Sequence, residues 1–251
     1  MVTLVSSSRP GPATVLDTPK EFGLVPAWSF STLEKFEQCA YQIYIGKVKK
    51  IPEPQGDAAA RGETIHKAAE DYVAGKREDM IPELSKYSEH IDELKSLFVE
   101  GKVEQEGEWA FTIDWEKTGW MSPDCWARVK LDAFVQVSPT ECRVIDFKTG
   151  KKFGNELKHG QQGLLYAIAA FMRDPALEFA TVEFWYTDQK LTDMTKKTYT
   201  RQQALMFMPD FHRRGVKMTT ETNFDPNPSK MNCLWCPYKK GDVPECRWGV
   251  K

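Results

Sequence analysis

Apolar residues recur along the chain at two spacings, one helical and one extended. Leu33, Phe36, Ala40 and Ile43 lie three or four apart, the spacing of one helix face. Ahead of them, Ser31 and Glu34 fit a capping box with Ser31 as N-cap, and Cys39 falls on the same helix beside the stripe. Pro52, Pro54 and Gly56 then interrupt the chain. A second helix is predicted over 58–74, with Ile65, Ala69, Tyr72 and Val73 on its apolar face and His66 at the edge. A third is predicted over 89–100.

From about 103 to 148 the period changes to two. Ala127, Val129, Leu131, Ala133, Val135 and Val137 alternate with Arg128, Lys130, Asp132, Phe134 and Gln136, the pattern of a strand. Ser138-Pro139-Thr140 breaks it, and a second strand runs over Val144-Ile145-Asp146-Phe147-Lys148. Beyond these, a helix over 161–171, a strand over 180–186 and a helix over 201–213 are predicted, followed by a Pro- and Cys-rich tail from about 223. Helices and strands interleave, so the chain reads as α/β.

The two strands carry charge in a telling arrangement. Alternation puts Asp132 on one face with Arg128 and Lys130, and puts Asp146 and Lys148 on one face about 7 Å apart. In a hairpin folded about Pro139, residues whose numbers sum to 278 face each other, so Asp132 opposes Asp146. Opposed side chains have Cβ atoms about 5 Å apart, and like charges there repel. A hard divalent cation between the carboxylates removes that repulsion.

The 251 residues are 41% hydrophobic, enough for one sizeable core. Net charge is −2, so any nucleic-acid contact must come from local patches such as Lys47 to Lys50, Lys151-Lys152, Arg213-Arg214 and Lys239-Lys240. No GxxxxGK loop is present, which excludes that class of NTP-driven motor. The first residues break off before an apolar leader forms, and a cytoplasmic protein is expected. Residues 1–27, rich in Ser, Pro, Thr and Gly, read as a flexible arm; 28–222 as the core; and 223–251 as a cysteine-rich segment packing on the first helix.

Six cysteines in a reducing compartment do not read as disulfides. Cys233 and Cys236 form a CxxC, Cys246 follows ten residues later, and Cys39 makes a fourth thiolate. Such a set holds zinc or a 4Fe-4S cluster, and spacing does not separate the two. Cys125 and Cys142 read as structural.

Asp132, followed by Asp146-Phe147-Lys148 on the next strand, resembles the PD-(D/E)XK nuclease signature. His66 on an upstream helix, the wording Ile145-Asp146-Phe147-Lys148-Thr149-Gly150, and Gln162 with Tyr166 on the following helix are similar to the RecB-like and CRISPR-associated branch. The resemblance implies a restriction-endonuclease-like core, a mixed sheet flanked by helices. It implies Mg²⁺ or Mn²⁺ held by His66, Asp132, Asp146 and the Phe147 carbonyl, with a glutamate from Glu104, Glu106 or Glu108. It implies Asp132, Asp146 and Lys148 as catalytic residues, and Gln162 and Tyr166 as DNA contacts. Cys39, Cys233, Cys236 and Cys246 would hold a 4Fe-4S cluster, zinc being the alternative. The expected function is a DNA exonuclease acting on ends, with single-strand activity, beside recombination or replication proteins. The alternatives are a nuclease of CRISPR adaptation and a non-cleaving nucleic-acid-binding iron–sulfur module.

Overall fold

The computed structural model describes residues 21–54, 56–239 and 246–250. A short strand β1 (Trp28–Ser29) leads into helices α1 (Phe30–Gln38) and α2 (Ala40–Ile43), the latter running into a π-helical turn at Tyr44–Val48. Helices α3 (Asp57–Val73) and α4 (Ser88–Val99) follow. Four strands come next: β2 (Val103–Phe111), β3 (Lys117–Thr118), β4 (Ala127–Ser138) and β5 (Glu141–Lys148). The chain then alternates through α5 (Glu156–Arg173), β6 (Phe179–Tyr186) and β7 (Thr195–Thr200). It ends in α6 (Arg201–Leu205), α7 (Met208–Thr220) and α8 (Lys230–Leu234).

The strands form one mixed, mostly antiparallel sheet in the order β3-β2-β4-β5-β6-β7. β5 and β6 pair in parallel, joined through α5, while β1 pairs in parallel with the start of β4. Helices α3 and α4 cover one side, burying Ile65, Ile91 and Leu94 with Ala133, Ile145 and Trp185. The larger core on the other side gathers Leu165 and Ile168 of α5 with Val144, Val182, Phe184 and the α1 and α7 side chains Leu33, Phe36 and Phe211. This mixed sheet between helical layers fits a restriction-endonuclease-like core. No helix among the described residues is long and apolar enough to cross a membrane.

The hairpin keeps the expected register: Ala133↔Ile145, Phe134↔Val144, Val135↔Arg143 and Gln136↔Cys142. The register then shifts at a bulge between Gln136 and Ser138. There Val137, expected on the buried stripe, is 49% exposed, because the extra residue of a bulge turns its side chain out of alternation.

Three further differences concern helix ends. The first helix starts two residues earlier than expected, with Ser29 and not Ser31 as N-cap. Ser29 and Thr32 exchange backbone N–H bonds through their hydroxyls, so the hydroxyl pair does the work expected of Ser31 and Glu34. Cys39 is not helical: it is an extended residue (φ −163°) between α1 and α2, and its Sγ accepts the Asn227 N–H at 3.3 Å. The helix expected over 201–213 is two, α6 and α7, with Pro209 in the first turn of α7, where a missing N–H costs nothing.

The expected arm lies outside the described residues as far as residue 20. Over 21–27 the chain is docked: Gly23 N–H donates to Thr219 O at 2.6 Å, and Val25 is buried in the main core.

Candidate active site

Asp132 stands where β4, β5 and α3 meet. Its Oδ1 lies 3.0 Å from His66 Nδ1, and its Oδ2 accepts the Phe147 N–H at 2.6 Å. His66 projects from the middle of α3, and the Phe147 ring meets its imidazole edge-on at 6.0 Å. The hairpin register is what aims Asp132 at the β5 backbone next to Asp146.

Glu106 completes this cluster. One ligand atom each from His66, Glu106 and Asp132 lie within 4.8 Å of one another. Glu104, Glu106 and Glu108 share a strand, and backbone shape separates them. Glu106 is left-handed (φ 49°), a conformation rarely adopted by a residue with a side chain. It reverses the alternation of β2, so Glu104 and Trp109 end on one side, joined by a 3.0 Å bond from the indole N–H to Oε1. Glu104 also pairs with Arg173, and Glu108 is exposed. Glu106 also carries a 2.8 Å ion pair with Lys130.

Asp146 does not join that trio. It is buried, and its Oδ1 accepts the Tyr166 hydroxyl at 2.6 Å. Its Oδ2 has the Lys148 ammonium at 2.7 Å, yet no aligned hydrogen bond. The ion pair is real as a distance, and the missing alignment leaves a buried carboxylate oxygen with capacity to spare. Lys148 donates in turn to Gln162 Oε1 at 2.9 Å, and Gln162 Nε2 donates to the Tyr166 hydroxyl at 2.6 Å. Gln162 and Tyr166 thus sit one turn apart on α5 and grip Asp146 and Lys148 from behind. Tyr166 was expected to touch DNA; it is buried, and its hydroxyl is spent on Asp146.

The electrostatics follow from this crowding. Burial, then the neighbouring Asp146 charge, raises the Asp132 pKa. For His66, burial works against the cation, but the Asp132 hydrogen bond and charge prevail and raise its pKa. Burial lifts the Tyr166 phenol well above its ordinary value, so it stays a donor. Asp132, which resists ionising beside Asp146, and the imidazole aimed at it make a donor set suited to a divalent cation.

The sequence reading missed His159. It is buried three residues before Gln162, stacks on Phe184 at 5.5 Å and has Nδ1 2.8 Å from the Tyr186 hydroxyl. Burial, then the nearby Lys148 charge, lowers its pKa to about 4, so it is neutral. The signal was its spacing, i−3 to Gln162, which puts both on one helical face.

The model of the PD-(D/E)XK nuclease superfamily matches residues 27–124 and 127–240. The chain belongs to that superfamily. Among solved structures, the nuclease is similar to SSO0001, at TM-score 0.50 and 13% identity over 90% of this chain and 88% of that one, a likeness of fold. The alkaline exonuclease LHK-Exo from Laribacter hongkongensis overlaps at TM-score 0.33 and 10% identity, over 78% and 89% of the two chains. No curated protein matches the sequence of the nuclease.

Away from the acidic cluster, Cys39, Cys233, Cys236 and Cys246 of the nuclease line one cavity, with Tyr41, Ile45 and Tyr238. Burial, then the nearby Cys246, Cys39 and Cys233, raises the Cys236 pKa. Among the described residues, no three of these sulfurs gather within 4.8 Å of one another. Cys125 and Cys142 are buried apart, in the β-rich region, and burial pushes the Cys142 thiol up to about 12, as an inert core residue requires.

Proposed function

We propose that this nuclease is a metal-dependent DNA exonuclease that hydrolyses phosphodiester bonds at DNA ends in recombination, replication or repair. The observation that carries the reading is the gathering of His66, Glu106 and Asp132 at the end of the strand that bears Lys148. The donor set fits: one imidazole and carboxylate oxygens suit Mg²⁺ or Mn²⁺, and Asp146 Oδ2 has capacity to spare. His66, Glu106 and Asp132 would hold the ion, with Asp146 and the Phe147 carbonyl as further ligands. Bound there, the ion acidifies a water and neutralises charge on the phosphoryl oxygens.

The chain's own groups do the positioning. Lys148, held by Asp146 and Gln162, orients the attacking water and offsets negative charge on the phosphate. Tyr166 and Gln162 fix Asp146 and Lys148 relative to each other. Asp132 holds the His66 ring and the Phe147 N–H, so its strand and α3 keep one geometry.

The test compares Mn²⁺-dependent digestion of end-labelled linear and covalently closed DNA by wild type and Lys148→Ala. Wild type should degrade linear strands, single strands included, and spare the circle, and the variant should be inert. A wild type as inert as Lys148→Ala favours the non-cleaving binding module. Cutting of the circle overturns action at ends.

The four cysteines support a 4Fe-4S cluster that staples the tail to the α1–α2 junction. Tetrahedral zinc draws its four sulfurs to about 3.8 Å of one another, given a Zn–S bond near 2.3 Å. These sulfurs line one cavity, and among the described residues no three of them gather within 4.8 Å of one another, which favours a cubane held at its corners over that tighter set. Anaerobically purified protein should be brown and contain iron and sulfide. A colourless protein with zinc supports the other group.

A further inference from the structure

The segment after Lys148, together with the first turn of α5, exposes two large apolar side chains. Phe153 is 66% exposed and Leu157, one turn along the chain, is 86% exposed. Single exposed apolar residues are ordinary. These two lie four residues apart, in the loop and the first helical turn after Lys148, and lysines flank them in the sequence. Residues 148–158 hold four lysines and one glutamate; Lys148 and Lys158 pair with Asp146 and Glu34, and Lys151 and Lys152 flank the ring.

The loop is built, not slack. Asn155 N–H donates to Lys152 O at 3.0 Å, and Asn155 Nδ2 to Lys151 O at 2.8 Å. Gly154 is left-handed (φ 87°), and its N–H donates to Glu156 Oε2 at 2.7 Å. Those bonds close the turn and hold the Phe153 ring outward. The Lys152 ammonium lies 5.7 Å from the Phe153 ring centre and 6.0 Å from that of Tyr186, so it spans from the outer ring back toward the buried aromatics under Lys148.

We infer that Phe153 is a stacking platform for an unpaired base of the strand being cut, with Lys151 and Lys152 on the flanking phosphates. The inference rests on the nuclease reading and deepens it by naming unpaired DNA as what the site engages. An aromatic face among lysines matches a chain of alternating bases and phosphates, and stacking tolerates every base because each has a π-face. A protein partner would have to be strongly acidic to approach this loop, whereas a nucleic-acid strand brings that charge together with the scissile bond. A paired base is already stacked on both sides, so the platform favours single strands and frayed ends.

The experiment is fluorescence anisotropy in EDTA, where no metal supports cutting, with a labelled thymidine oligonucleotide and an abasic strand of equal length. Phe153→Ala should weaken thymidine binding about 10-fold and leave abasic binding unchanged. Phe153→Trp should restore it. The ring is exposed, so the substitution should leave the melting temperature where it was. Equal affinity of Phe153→Ala and wild type for the thymidine strand overturns the inference, as does equal weakening for both strands. Mn²⁺-dependent digestion by wild type is read separately: an inert wild type sinks the nuclease reading, and an active one beside an unaffected Phe153→Ala sinks only the platform.

Discussion

The Tyr166 hydroxyl donates to Asp146 Oδ1 at 2.6 Å, and both residues are buried. Tyr166 therefore acts on the site from the protein side. Tyr166→Phe keeps the ring and removes the donor, leaving a buried carboxylate oxygen short of a partner, at a cost of about 1–3 kcal/mol. In steady-state digestion kcat should fall and KM for DNA should hold, with the urea midpoint lowered. A raised KM at constant kcat would instead make Tyr166 a DNA contact.

Glu106 makes a second case, because its backbone and its side chain pull in opposite directions. A left-handed non-glycine residue costs about 1–3 kcal/mol, and the exposed pair with Lys130 returns at most about 1 kcal/mol. Glu106→Gly should therefore leave stability level or raise it, while Mn²⁺ affinity by calorimetry falls at least about 10-fold. Glu104→Gln and Glu108→Gln should leave that affinity alone. Loss of Mn²⁺ binding in Glu104→Gln, with Glu106→Gly unaffected, would move the ligand.

This residue also marks where sequence reading stops. The hairpin register could be read from alternation and Pro139 because a slip of one residue would turn every side chain over, Asp132 and Asp146 included. Glu106 could not be chosen from Glu104 and Glu108, since alternation gives all three the same face until a left-handed residue breaks it. The Val137 bulge and the break at Cys39 escaped for the same reason: each is a single-residue backbone event with no composition signal. Ser29 lost to Ser31 as predicted cap because Ser31-x-x-Glu34 has the commoner pattern, whereas Ser29-x-x-Thr32 needs two hydroxyls in register. The four cysteines were legible by type and spacing; that they line one cavity needed coordinates.

His159 gives a pH dependence. Its pKa falls from 6.5 in the unfolded chain to about 4 in the fold, so it is neutral where folded. As pH drops from 6.5 toward 4, the unfolded chain takes up the proton first and stability is lost across that window. His159→Gln lacks this group, so the stability of wild type relative to the variant should shrink over the same interval. Urea unfolding at pH 7, 5.5 and 4 measures it. A difference that stays constant would mean the imidazole is as accessible as in the unfolded chain.

Gly215 tests the packing that carries β1. It lies in α7, and a Cβ built there would sit 2.5 Å from Trp28 Nε1 and 2.8 Å from Trp126 Cζ2. Both indoles are 1% exposed and meet edge to face at 5.4 Å, so neither can swing away. Alanine in place of a helical glycine gains about 1 kcal/mol of intrinsic helix preference. Forcing a methyl into a filled core costs about 1–3 kcal/mol, and a contact this short against rigid rings belongs at the upper end. The clash should win. Gly215→Ala should lower the unfolding free energy in urea by a net of about 1–2 kcal/mol, and digestion at 25 °C should persist, because the tryptophans lie outside the acidic cluster. A variant more stable than wild type would show that Trp28 and Trp126 leave room above α7, and the short β1–β4 pairing would then need another anchor.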